Sequence, residues 1–207
     1  RQDKVIIKEE IFGWFGEYHQ AVYRDILSEV ESGDNILEIG CLLGKSTHYL
    51  SSIIKERGAT IYCCDLWESM TASAVEKHCA DFEMRYGKDL YPEFKKNLQE
   101  FDFIKAYKMS STQFFNCLLG KDIKFKRIYL DGSHEYDIVR TDIINSIMCV
   151  TEDGIIAGDD YTIPGVSRAV RDVLGNADIT YCGERQWIFD IAKNKDIYKN
   201  IRNAEIR

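Results

Sequence analysis

Proline is scarce in this chain: Pro92 and Pro164 are the two in 207 residues. A proline-rich spacer is therefore absent, and no internal repeat or low-complexity tract breaks the chain into units. Long apolar runs are missing too. No stretch approaches the ~20 residues that a membrane-spanning helix needs. The N-terminus, Arg1-Gln2-Asp3-Lys4, is charged and carries no apolar signal segment. It opens on Arg rather than Met, so a trimmed or excised product is expected. An excess of basic charge is lacking as well: 27 Lys and Arg stand against 34 Asp and Glu, a net charge of -7. A general polyanion binder needs a basic footprint, so no nucleic-acid partner is expected. CxxC pairs are absent. The seven cysteines (Cys41, Cys63, Cys64, Cys79, Cys117, Cys149, Cys182) are odd in number, and several lie in apolar runs. Buried free thiols in a reducing compartment follow, with a cytoplasmic location, rather than a disulfide scaffold or thiolate zinc. What is plentiful is core material, at 45% hydrophobic residues with 29% charged. One globular domain over 1–207 is expected.

The order of periodicities predicts an α/β fold. Segment 9–32 repeats apolar residues three or four apart and predicts one or two helices, part of an N-terminal helical extension over 1–33. Strands are expected at 35–39 and 60–64, with a helix at 46–57 stopped by Gly58. Segment 68–100 interrupts the cadence as a charged, helical, lid-like insertion. Strands near 103–107, 127–130 and 154–158 follow, with helices near 112–119, 136–148 and 165–174. Residues 179–181 and 187–191 predict an antiparallel hairpin. The sum is a Rossmann-like, mostly parallel seven-stranded sheet with a terminal hairpin and helices on both faces. Such sheets bind ligands beyond the carboxyl ends of their strands, so the polar residues at those ends are the candidates.

The first strand runs Ile36-Leu37-Glu38-Ile39 into Gly40-Cys41-Leu42-Leu43-Gly44-Lys45-Ser46. Gly40 permits a sharp turn and Gly44 a close approach. The spacing is not GxGxxG, and Gly40 is one residue too near Gly44 for a phosphate loop. Glu38 would repel phosphate. Asp65 ends the next strand, 25 residues after Gly40. A carboxylate there accepts hydrogen bonds from a cis-diol, as a ribose offers, whether from NAD or another nucleotide. The Glu-x-Gly-x-x-x-Gly pattern with Asp65 resembles the class I S-adenosylmethionine-dependent methyltransferases. That resemblance implies S-adenosylmethionine as cofactor, held by Glu38, Gly40, Cys41, Gly44, Ser46, Asp65, Leu66, Trp67, Ser110, Ser111 and Asp131. Trp67 would flank the adenine, and the two serines would approach its edge.

Asp131 follows the fourth strand, in Asp131-Gly132-Ser133-His134, and Asp159-Asp160 follows the fifth, 28 residues on. One helical crossover brings these carboxylates to adjacent strand ends. Clustered carboxylates repel unless neutralised, and an all-oxygen set suits Mg²⁺. The pattern is similar to metal-dependent O-methyltransferases of the catechol and macrolide-sugar types, and to small methyltransferases encoded near sugar and capsule genes. It implies Asp131, Asp159 and Asp160 as Mg²⁺ ligands, with His134 and Asp131 as the catalytic residues. A neutral imidazole at His134 would accept a hydroxyl proton. The implied acceptor is a sugar or other hydroxylated small molecule. The macrolide-sugar enzymes are often oligomeric, so a homo-oligomer is among the implied states. A NAD-dependent oxidoreductase and a non-catalytic cofactor-binding domain are the rival readings.

Overall fold

The computed structural model describes residues 7–68, 83–183 and 185–205. Seven strands form one sheet: β1 (Asn35–Ile39), β2 (Thr60–Asp65), β3 (Ile104–Lys108), β4 (Phe125–Leu130), β5 (Val150–Gly158), β6 (Ile179–Cys182) and β7 (Gln186–Asp190). Their spatial order is β3-β2-β1-β4-β5-β7-β6. The first five pair in parallel, while β7 runs antiparallel to both β5 and β6. This is the expected sheet.

Strands buried on both faces need apolar residues at successive positions. β1 and β2 meet that need, each burying four residues in a row. Alternate side chains then feed opposite cores. Ile36, Ile61, Cys63, Tyr129 and Ala157 pack with one, and Leu37, Tyr62, Cys64, Ile128 and Ile156 with the other. The first core is closed by α1 (Glu17–Ile26), α2 (Lys45–Ile54) and α3 (Tyr91–Asn97). The second is closed by α4 (Ser111–Leu118), α5 (Tyr136–Cys149), α6 (Pro164–Leu174) and α7 (Lys195–Glu205).

The chain leaves β1 toward β2 and β3, then returns to β4 on the other side. The crevice at this reversal lies between the ends of β1 and β4. It is laced by backbone: the Asp131 N–H donates to the Ile39 carbonyl at 2.8 Å, and the Gly40 N–H to the Cys64 carbonyl at 2.9 Å.

Segment 9–32 yields one helix, α1, within the expected one or two, and Gly13 and Gly16 interrupt its N-terminal half. Ile11 and Phe15 are nonetheless buried, so the irregular part still packs on the body. Residues 69–82, which include Cys79 and much of the expected insertion, lie outside the described residues. The described remainder contains α3 and a bridge between Glu68 and Asp89. Finally, α7 was not expected after the hairpin. It is rich in charged and amide residues, and buries Tyr198 with Ile197 and Ile201 packed alongside. Among the described residues no helix is long and apolar enough to cross a membrane.

Candidate functional site

The loop from β1 to α2 is held from below and from the side. Gly40 has φ +85, and a Cβ there would lie 2.0 Å from the Asp131 carbonyl oxygen. No other residue fits that turn. Gly44, at φ +87, sits against Leu98 and Phe94 of the α3 region. Asp65 grips the loop directly. Its Oδ2 accepts from the Cys41 N–H at 2.7 Å and the Leu42 N–H at 2.8 Å, and its Oδ1 from the Trp67 N–H at 2.7 Å. Leu42 and Trp67 both take left-handed backbone, at φ +47. Such non-glycine residues cost roughly 1–3 kcal/mol each and gather at functional sites.

Glu38 is buried beneath this loop. It accepts from the Tyr23 hydroxyl at 2.8 Å and the Thr47 hydroxyl at 2.5 Å. Burial pushes its carboxyl up, while hydrogen bonds from Ser46, Thr47 and Tyr23 oppose the shift. The expected cofactor residues therefore converge, but several are already engaged. Trp67 is fully buried against Tyr91 and Phe94, with ring centroids 4.8 and 4.5 Å away, and its Nε1 donates to the Leu42 carbonyl. It pins the loop, and its enclosed ring has no face left for adenine. Leu66, by contrast, is exposed at the mouth of the loop. Ser110 is the N-cap of α4, accepting from the Gln113 N–H at 3.2 Å, and Ser111 begins that helix.

Asp131, at the end of β4, and Asp159 and Asp160, at the end of β5, line one small cavity. Asp131 lies beside Asp159. Desolvation, then the Asp159 charge, pushes the Asp131 carboxyl well above the usual range. Asp159 is buried, with Arg185 Nε 3.7 Å from its Oδ1, and three further groups hold it at shorter range. The His19 ring approaches Oδ2 through Nε2 at 2.6 Å, while Gln186 Nε2 at 2.9 Å and the Asp160 N–H at 2.6 Å donate to Oδ1. Asp160 has left-handed backbone at φ +60. Its Oδ2 lies 2.6 Å from His134 Nε2, and its Oδ1 contacts Arg185 Nη2. His134 is half exposed, with its pKa lowered first by desolvation and then by the Arg185 charge. The imidazole is thus neutral at neutral pH. Its Nδ1 has no hydrogen-bond partner among the described residues.

These pairings bear on the expected Mg²⁺ site. Among the described residues, the one set of three ligand atoms within 4.8 Å of one another comes from Glu38, Cys41 and Cys63. That set is buried, its thiols are pushed up by desolvation, and its carboxylate is hydrogen-bonded. It packs rather than ligates. Asp131, Asp159 and Asp160 do not form a preassembled cage, because the rings of His19 and His134 and the Arg185 guanidinium occupy oxygens of two of them. A cation must displace those partners. Mg²⁺ titrated into the Arg185→Gln protein should therefore bind about tenfold tighter than into the wild type. Equal or weaker binding in calorimetry removes Arg185 as a competitor.

A small cavity beside this cluster is lined by Asp131, His134, Asp142, Asp159, Asp160 and Trp187. Asp142, on α5, is 4% exposed, and its Oδ1 has no partner. Desolvation pushes its carboxyl from 3.8 to about 6. The folded state therefore holds this proton more tightly than the unfolded chain. The associated stability is present below the unfolded pKa and is lost as pH rises through about 6. Asp142→Asn should remove that loss. In urea denaturation, the variant's stability relative to wild type should rise by roughly 2–3 kcal/mol between about pH 4 and pH 7. A constant difference across that range contradicts the shift.

His19, Arg185, Gln186, Tyr23 and Thr47 were not singled out from the sequence. A histidine on an amphipathic helix and an arginine in a hairpin turn carry no local pattern. Their partners lie 140 residues away for His19 and 25 or more for Arg185.

A family model described as a methyltransferase domain matches residues 37–161. No curated protein matches the chain. Among solved structures, the O-methyltransferase NovP is 15% identical with TM-score 0.63, over 84% of this chain and 80% of that one. The calicheamicin methyltransferase CalS11 is 14% identical with TM-score 0.59, over 83% and 76%. Cofactor-bound Rv0187 from MTB is 14% identical with TM-score 0.60, over 87% and 83%. At these identities the likeness is one of fold.

Proposed function

The chain belongs to the methyltransferase-domain family, and on that premise we propose that it transfers a methyl group from S-adenosylmethionine to a hydroxyl of a small molecule. The observation that carries this reading is the His134–Asp160 pair at the end of β4 and β5, next to the tightly turned glycine loop. NovP is described as an O-methyltransferase and CalS11 as a TDP-rhamnose 3'-O-methyltransferase. The first supports a hydroxyl as the acceptor group here, and the second a sugar as its carrier.

When bound, S-adenosylmethionine supplies a methyl group made electrophilic by its sulfonium. The chain's own residues do the rest. The turn at Gly40 and Gly44 shapes the loop, with Cys41 and Ser46 on it and Glu38 bracing it from below. Asp65 keeps the Cys41 and Leu42 amides aligned, and Leu66 offers an apolar contact at the mouth. Asp131, with its raised pKa, faces the same crevice and orients the acceptor. Asp160 holds the His134 ring through Nε2, which leaves Nδ1 to accept the hydroxyl proton. A positioned base of this kind contributes about 100- to 10,000-fold. Placing acceptor and donor in line supplies much of the remainder. The acidic donor set has the chemistry for Mg²⁺, but its paired state does not fit a bound cation.

The test has two stages. Calorimetry should detect S-adenosylmethionine binding, and its absence sinks the reading. A panel of hydroxylated acceptors, TDP-rhamnose among them, should then yield a product heavier by one methylene. Binding without transfer to any acceptor points to a non-catalytic domain of this fold.

A further inference from the structure

Residues 8–19 cross the same edge of the sheet as the site, and they are tied down at both ends. Near their start, Glu9 pairs with Lys45 at 3.0 Å, directly after Gly44. Gly13 packs on Lys45, where a Cβ would lie 3.1 Å from the lysine Cβ. Phe12 lies near Tyr86 in a tilted contact, with centroids 6.3 Å apart, and Phe15 packs against Tyr23 and Tyr49. At the far end, Tyr18 lies against Gly183 in the β6–β7 turn, and His19 reaches Asp159. The segment thus spans from the glycine loop to the end of β5.

The His19 contact is built. The Gly16 N–H donates to His19 Nδ1 at 3.1 Å, which assigns the ring proton of the neutral imidazole to Nε2. That nitrogen then donates to Asp159 Oδ2 at 2.6 Å. Both ends of the Asp159 carboxylate are fixed as a result, since Gln186 and the Asp160 amide hold the other oxygen. The Asp160 backbone is left-handed, and Asp160 in turn holds His134. A continuous chain of contacts therefore runs His19–Asp159–Asp160–His134.

We propose that His19 is a positioning residue of the transfer site: it fixes the Asp159–Asp160 corner that orients the His134 ring, and by the same bond it seats residues 8–19 as a wall of the acceptor crevice. This rests on the methyltransferase reading for its purpose, but its geometry can be tested without an acceptor. Three proteins are compared: wild type, His19→Ala and His19→Gln, the last retaining a neutral side-chain donor. Hydrogen exchange over residues 11–19 should quicken about 10- to 100-fold in His19→Ala, the range expected for losing a hydrogen bond to a charged group. The ¹⁵N ring signals of His134 should move in His19→Ala and return toward wild type in His19→Gln. A merely structural anchor would not move that ring. Unchanged exchange together with unchanged His134 signals in His19→Ala overturns the proposal. If His19→Ala does not fold, His19→Gln alone decides: wild-type His134 signals support the proposal, and altered signals in a folded His19→Gln protein overturn it. S-adenosylmethionine calorimetry on the wild type runs beside these measurements. Failure to bind there removes the methyltransferase reading while leaving the His19 result intact.

Discussion

In the His134→Ala protein, methyl transfer should fall about 100- to 10,000-fold, the usual contribution of a positioned base. Affinity for S-adenosylmethionine should stay within about twofold, because the cofactor loop is held by Asp65 and Glu38 rather than by His134. Asp160 engages Nε2 at 2.6 Å, so the ring is oriented and Nδ1 is the nitrogen available to a substrate. Desolvation and Arg185 keep the ring neutral, which is the form that accepts a proton. Asp160→Asn should lower the rate less than His134→Ala, since it removes the orienting charge and leaves the base in place. Full activity in His134→Ala, read by mass spectrometry of the methylated product, removes His134 as the base.

Gly40→Ala should be the most damaging single substitution in the loop between β1 and α2. Its Cβ would lie 2.0 Å from the Asp131 oxygen, 2.4 Å from the Asp131 carbonyl carbon and 2.7 Å from the Gly132 Cα. All three are backbone atoms, so no side chain can rotate away. The left-handed φ adds its own cost for an L-residue. A loss of about 3 kcal/mol or more follows. For a chain of this size that lowers Tm by roughly 6–12 °C. Cofactor binding should disappear with it, because β1 and β4 must part to admit the methyl group. Gly120→Ala is the control. Gly120 is also left-handed, at φ +75, but nothing lies within 4 Å of its added carbon. It should cost only about 1–2 kcal/mol and leave binding unchanged. Equal losses in the two variants would mean that backbone conformation, not the β1–β4 contact, accounts for Gly40.

The fold was legible because its causes are local. Buried parallel strands must be apolar on both faces, so Ile36–Ile39 and Ile61–Cys64 stand out in the sequence. The helix over 165–174 also has its start marked by Pro164. The helix α7 was missed because its buried stripe is narrow: Tyr198 and its neighbours sit among Lys195, Lys199, Asn200 and Arg202. Before β1 the expected one or two helices resolve to α1 alone, since Gly13 and Gly16 disfavour helix ahead of it.

The sequence by itself determined which acids and glycines gather at the strand ends. Glu38, Gly40, Asp65, Asp131, Asp159 and Asp160 each lie at or just past the carboxyl end of a strand, and a parallel sheet places all such ends along one edge. It also set the acidic composition that weighs against a polyanion partner. Only the tertiary structure decided what each of those acids does. Asp65 holds amides of its own loop, Trp67 is shut inside, and Asp159 and Asp160 are paired with His19, His134 and Arg185. The physical reason is that a carboxylate's partner is fixed by distance in space. The distances that matter join residues from α1, the β4 end and the β6–β7 turn, which no spacing along the chain records.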